Sequence, residues 1–324
     1  MNKDLLERIS LINDRINTLN YGTEPDELYE PIRYIMSLGG KRMRPLLVLL
    51  AYELFKDDPE KVLDQAIAVE VFHNFTLMHD DIMDEAPLRR GKATVHEKWD
   101  ANTAILSGDV MLVRAYDLLL DAPGNLRAII KDFNDCASGV CEGQQFDMNF
   151  ESLPTVAEET YINMIRLKTA VLLGFSLKLG AMLAGASDDQ ADKLYEFGVS
   201  IGIGFQLKDD LLDVYADQAK FGKQVGGDII SNKKTFLLLK ALELANADQK
   251  AQLDQWLAAT DFDKAEKVAG VTAIYNEIGI RELTRDKINQ WFDKGFEALE
   301  KLSVADSRKA PMVAFTKYLI DREK

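Results

Sequence analysis

Two acidic runs carry the most pointed chemistry in this sequence. His79-Asp80-Asp81-Ile82-Met83-Asp84 closes an apolar stretch that passes through Ala66 to Phe75, and Asp209-Asp210-Leu211-Leu212-Asp213 follows a second apolar stretch. On a helix, Asp80 and Asp84 share a face about 6 Å apart, and Asp81 is turned roughly 100° away. Like charges at that spacing repel, and a helix C-terminus disfavours anions further, so something cationic should compensate. Ligands that are all oxygen suit Mg²⁺, which binds through one or two carboxylates together with substrate phosphates. The alternative for either run alone is a solvated acidic patch; two such runs on apolar helices weaken it.

A diphosphate bridged by Mg²⁺ also needs direct cations, and basic residues cluster at turns. Gly39-Gly40-Lys41-Arg42-Met43-Arg44-Pro45 puts three cations beside a double glycine, and Leu88-Arg89-Arg90-Gly91-Lys92 follows the first acidic run. Lys168-Thr169, Lys223, Lys233 and Lys234 add to them. Guanidinium forks take phosphate oxygens bidentately, whereas lysine acts as a point charge. No P-loop and no dinucleotide fingerprint is present, which removes kinase and dehydrogenase readings. Of the three histidines, His73 lies seven residues before Asp80 and so nearly on its face two turns away; His79 and His96 flank the acidic and arginine runs. No Cys/His spacing points to zinc.

The elements that must hold these groups read as helices. There is no proline between Pro154 and Pro311. Apolar residues recur at three and four, as in Leu5, Ile9, Ile12, Ile16 and Leu19, and no strand is expected. Turn signals fall near Gly22–Pro25, Gly39-Gly40, Asp57–Pro59, Pro87–Gly91, Pro123-Gly124, Leu153-Pro154, Gly185–Asp188, Phe221–Lys234 and Ala259–Asp263. Ser187 with Gln190 three residues on has capping-box character. The expectation is one all-α domain over 1–324, with no linker between lobes.

Composition bounds the rest. The 324 residues are 47% hydrophobic and 28% charged, those of a soluble globular chain. The net charge of −14 argues against a broad nucleic-acid or anionic-membrane surface. Cys136 and Cys141 are too few for a disulfide framework and suggest a reducing compartment. No apolar run approaches the ~18 to 20 residues of a membrane span, and Met1–Ser10 lacks the apolar stretch of a signal peptide. A cytoplasmic protein is expected.

In this order and spacing, the blocks at 39–45, 79–84 with 88–91, 168–169, 205–213 and 221–228 followed by Lys233 resemble the trans-isoprenyl diphosphate synthases, the polyprenyl synthetase family. The resemblance spans most of the chain. It implies a large all-α bundle of the isoprenoid synthase type with a central apolar cavity, a homodimer, and head-to-tail condensation of isopentenyl diphosphate with an allylic diphosphate. Asp80 and Asp84 match ligands for two Mg²⁺ ions; Asp209 and Asp213 match those for a third. Arg89, Lys168, Thr169, Gln206, Lys223 and Lys233 match the allylic diphosphate site, and Lys41, Arg44, His73 and Arg90 the isopentenyl diphosphate site. Lys168, Thr169 and Gln206 are the groups that would steady the allylic carbocation.

By the same resemblance, a bulky residue shortly before the first aspartate acts as the floor of the tail pocket. Phe75, five before Asp80, implies a C15 or C20 product, although an ideal helical wheel puts Thr76 nearer the carboxylate face. Lys208 and Asn232 stand where the family more often has a neutral residue and a glycine, and the tail around Arg322 has few cations. Three alternatives stay open. A longer-chain synthase differs only in product, and a terpene cyclase would not need the 39–45 block with Arg90. A catalytically silent subunit of a heteromeric synthase would not need both acidic motifs whole.

Overall fold

A computed structural model describes residues 3–216 and 226–321. Lys223 and Arg322 therefore lie outside the described residues. By its internal contacts the chain forms two compact units: Met1–Cys136, Leu172–Tyr195 and Leu302–Phe315 make the first, and Ala137–Val171, Glu196–Lys301 and Thr316–Lys324 the second. The described residues are overwhelmingly helical, as the periodicity predicts.

In the first unit, helix Leu63–Met83 is the organising element. It is buried along most of its length, from Gln65 through Phe72 without interruption, and its C-terminal end, with Asp80 and the C-cap Asp84, reaches the surface. A helix that is apolar nearly all round belongs in a core. It packs most extensively on helix Ala101–Leu120, whose start is set by Asp100: the Asp100 carboxylate accepts from Thr103 N at 2.9 Å. A stack of rings fills the space beneath, with Phe72 at 5.1 Å from Phe133, and Phe133 at 4.9 Å from Tyr116 and 5.6 Å from Phe175.

The expectation of no strand needs one correction. Leu88–Arg89 pairs antiparallel with Lys92–Ala93, joined by Arg90 and Gly91, both at positive φ (54° and 75°). That is the backbone a two-residue hairpin turn demands, and a ladder of two residues per strand is too short to leave an alternating pattern in sequence.

In the second unit, helix Glu158–Ile165 runs into a π-helical turn, Arg166–Ala170, before helix Val171–Ala184 begins. Two glycines bracket this turn. A Cβ on Gly143 would stand 2.2 Å from Lys168 N, and one on Gly202 would stand 2.7 Å from the Ala170 Cα. Helix Asp188–Tyr215 carries Gly202 and the second acidic run. Ser187 Oγ accepts from Gln190 N at 3.4 Å just before it starts.

The helical run Glu158–Ala184 is long and apolar enough to cross a membrane by length and composition, a feature that scanning for uninterrupted apolar residues misses. Of its most apolar window, 78% is buried inside the protein. Among the described residues, helix ends that the turn signals pass over include Gly279, a left-handed C-cap (φ 84°) between helices Lys264–Ile278 and Ile280–Glu300, and the break between Glu300 and Asp306.

Candidate active site

Each unit carries one acidic run, and each run is built alike. The middle aspartate turns inward and is held by protein groups, whereas its neighbours are less buried.

In the first unit the inward residue is Asp81, 2% exposed. Arg89 Nε donates to both of its oxygens at 2.8 and 3.0 Å, and Arg89 Nη2 donates at 2.6 Å. Burial raises the Asp81 carboxyl even against the pull of Arg89. The same guanidinium lies 4.0 Å from Asp80. Arg89, matched to the allylic diphosphate site by resemblance, is thus anchored by a residue to which the sequence reading gave no role. The signal was available, since Asp81 is the member of the run rotated off the shared face.

The basic block divides by function. Arg42 adopts a left-handed backbone (φ 48°) and is 4% exposed. It donates to Glu70 at 2.7 Å, to the Met36 carbonyl at 2.9 Å and to Asn13 at 2.9 Å, so it is structural. Arg44 points elsewhere: its Nη1 lies 3.0 Å from His73 Nε2, and its buried Nε has no hydrogen-bond partner among the described residues. Burial, then the charges of Arg44, Arg90, Arg89 and Arg42, hold His73 well below the usual histidine range, so the ring is neutral. Its Nε2 then accepts from Arg44, which places the ring proton on Nδ1. Burial pulls Arg44 down to about 10, and it keeps its charge at neutral pH.

Arg90 donates to the Gly39 carbonyl, and its guanidinium occupies the space a Cβ on Gly40 would need, the nearest atom being 2.9 Å away. The double glycine makes room for an arginine. Arg44, His73 and Arg90 are thereby brought into one cationic neighbourhood. Lys41, next in sequence to Gly40, is exposed.

Phe75 is 8% exposed, 5.7 Å from Phe72 and 4.7 Å from the His79 ring. Thr76 spends its hydroxyl proton on the His73 carbonyl at 2.8 Å. The apolar surface at this level of the helix is therefore that of Phe75.

In the second unit the inward residue is Asp210, 4% exposed. Its Oδ2 accepts from the buried Tyr161 hydroxyl, and its Oδ1 accepts from Gln206 Nε2 at 3.0 Å. Gln206 Oε1 in turn accepts from Thr169 Oγ1 at 3.2 Å. Lys168, also in the π-helical turn, is paired with Asp147 at 2.7 Å. Asp213 Oδ2 accepts from Asp228 N at 2.9 Å, and Lys233 N donates to the Asp228 carbonyl at 2.9 Å. Burial pushes Asp228 up to about 7; Lys233 opposes the rise, and Asp210, Asp213 and Asp147 add to it. The sequence reading missed Asp147, Tyr161, Asp210 and Asp228 as contributors, although Asp210 and Asp228 lay inside blocks it had singled out.

Asn232, in place of the family's more usual glycine, has φ 55°. Asparagine is among the few side chains that tolerate this region. Its Oδ1 accepts from the buried Lys267 ammonium at 2.7 Å, which fixes the approach to Lys233. Lys208 reaches the Ile320 carbonyl at the end of helix Asp306–Ile320.

The donors fit magnesium in kind. Among the described residues no three carboxylate, histidine or cysteine groups converge into a complete cage. What each run offers is carboxylate oxygen one helical turn apart, the donor set of a hard cation that completes its shell with water and phosphate oxygens.

The polyprenyl synthetase family model matches residues 25–277. The chain is 36% identical to a geranylgeranyl pyrophosphate synthase of Geoglobus acetivorans over 321 residues, covering 98% of both chains. It is 41% identical to a short chain isoprenyl diphosphate synthase of Methanocaldococcus jannaschii, over 78% of this chain and 76% of that one. A solved structure of a geranylgeranyl pyrophosphate synthase superposes with a TM-score of 0.92 at 43% identity, both chains being covered in full. The chain belongs to the polyprenyl synthetase family and is a prenyltransferase of its short-chain isoprenyl diphosphate synthase class.

Proposed function

We propose that the chain condenses isopentenyl diphosphate head to tail with an allylic diphosphate, to a C15 or C20 trans-prenyl diphosphate, using up to three Mg²⁺ ions. The reading includes a single catalytic domain over 1–324, a homodimer and a cytoplasmic location. The observation that carries it is Arg44: a buried guanidinium nitrogen without a partner, beside a neutral histidine and within the field of Arg90, is an unmet demand for an anion.

Arg44, His73, Arg90 and Lys41 would hold isopentenyl diphosphate. Arg44 supplies the buried donor, and His73 keeps that guanidinium in register without adding a second charge to repel it. Arg89, steadied by Asp81, would hold the allylic diphosphate together with Lys168, Lys233 and Lys223. Asp80, Asp84, Asp209 and Asp213 would bind the metal. Magnesium, when bound, would neutralise the charge that the diphosphate gains as its C–O bond ionises. Fixed cations aimed at that leaving group lower the same barrier.

The carbocation left behind is attacked by the alkene of isopentenyl diphosphate, so no protein nucleophile is needed. Thr169, Gln206 and the carbonyls of the π-helical turn present oxygen toward it. The apolar wall around Phe72 and Phe75 would exclude water that would otherwise quench the cation. The released diphosphate is the base for the final proton.

Homodimer formation is supported by Ile105, Leu106, Val113 and Leu120, between 42% and 58% exposed on helix Ala101–Leu120. Leu106, Val113 and Leu120 are spaced seven apart, on one side of that helix. Radiolabelled isopentenyl diphosphate with C5, C10 and C15 allylic primers, with and without Mg²⁺, tests the reading. Labelled C15 or C20 product is expected with metal only. No incorporation with any primer would overturn it.

A further inference from the structure

In the second unit, three hydrogen bonds in series share one polarity. The Thr169 hydroxyl donates to Gln206 Oε1, the Gln206 amide donates to Asp210 Oδ1, and the Tyr161 hydroxyl donates to Asp210 Oδ2. Every proton in the series points toward the buried carboxylate. Tyr161 and Asp210 are 1% and 4% exposed, whereas Thr169 and Gln206 are only partly buried, so the series runs from the interior outward.

The direction of the chain follows from donor and acceptor inventories. The Gln206 amide turns its NH₂ to Asp210 Oδ1 and its carbonyl oxygen to Thr169, the orientation in which each amide atom has a partner. The Thr169 hydroxyl has one proton, and the Gln206 oxygen takes it. Among the described residues no hydrogen bond is donated to the Thr169 oxygen, which keeps its lone pairs as acceptors. Chains of hydrogen bonds polarise one another, so donors aligned toward the inner end make the outer oxygen a better acceptor.

We propose that Asp210 is a positioning residue for the prenyl transfer: with Tyr161 it fixes the Gln206 amide so that Thr169 offers an acceptor-only oxygen to the allylic carbocation. This rests on the assignment of Thr169 and Gln206 to the cation. It gives the second aspartate of the second acidic run a task other than binding metal.

A double-mutant cycle on the full-length enzyme tests it, with kcat and both KM values measured in saturating Mg²⁺. Asp210→Asn lets the amide at 206 turn over, and Thr169→Val removes the hydroxyl at constant shape. If Asp210 works through Thr169, each single variant loses about 100-fold in kcat, comparable to deleting one preorganised polar group. Both KM values then stay within about twofold of wild type, and the double variant is no slower than the slower single. Losses in kcat that multiply in the double variant, or wild-type kcat in Asp210→Asn, overturn the proposal.

Should Asp210→Asn fail to fold, Tyr161→Phe replaces it in the same cycle with the same criterion. The two levels of the argument fail differently. A wild-type enzyme that condenses no primer sinks the assignment of function, whereas wild-type turnover with multiplicative losses sinks only the relay.

Discussion

Arg89 clasps Asp81 through both carboxylate oxygens, at 2.6 to 3.0 Å, and so joins the first strand of the hairpin to the end of the helix that Asp80 and the C-cap Asp84 close. Arg89→Ala leaves a buried carboxylate without its partner. The variant is expected to lose about 1–3 kcal/mol of stability in urea unfolding, and its KM for the allylic diphosphate should rise about tenfold or more. Adding Asp81→Leu should restore most of the stability and none of the KM. Recovery of both together would show that Arg89 does not touch substrate.

The outer carboxylates are expected to matter to turnover and little to folding. Asp80→Ala and Asp209→Ala should each lower kcat by about 10³-fold, with thermal unfolding by circular dichroism nearly unchanged. Chelation should abolish wild-type turnover, and added Mg²⁺ should restore it. Wild-type turnover in either variant removes that residue from the metal set.

Phe75 rests on a stack of rings rather than on empty space. Phe75→Ala is expected to lengthen the product by at least one isoprene unit, read by sizing labelled products on thin-layer chromatography. An unchanged product would mean that the deeper rings, Phe72 and Phe133, already form the stop.

His73 ties stability to pH. Its folded pKa lies well below the ordinary 6.5. As pH falls through that value the unfolded chain takes up a proton that the folded chain refuses, so stability is lost on the acid side, with a limiting slope of about 1.4 kcal/mol per pH unit. His73→Gln should flatten the stability curve between about pH 7 and 5. An unchanged slope would mean that other groups govern the acid limb.

A charge on the exposed stripe of helix Ala101–Leu120 should break self-association. Val113→Glu is expected to shift the protein to monomer in sedimentation velocity. A dimer that survives this change with wild-type affinity would place the interface elsewhere.

Much of the candidate site was legible because helical spacing is arithmetic: Asp80 and Asp84 share a face, and the rotation that turns Asp81 away also turns it toward Arg89. The hairpin was invisible because two residues a side leave no period to read. The π-helical turn was likewise hidden, since one extra residue per turn costs the sequence nothing that composition records. Asp147 and Tyr161 lie 21 and 49 residues from the partners they serve, beyond any local pattern. Asn232 was noticed as a departure, and its left-handed backbone explains both the usual glycine and the exception.

The pair Gly143 and Gly202 has a consequence for how this enzyme can change. Lys168 and Thr169 are presented by a backbone wedged between two helices at distances that admit no methyl group. An alanine at either position would push the turn outward, and no neighbouring repair can shrink a main chain. Variation elsewhere in the fold has many side chains to work with, whereas this turn is clamped by two residues that have none.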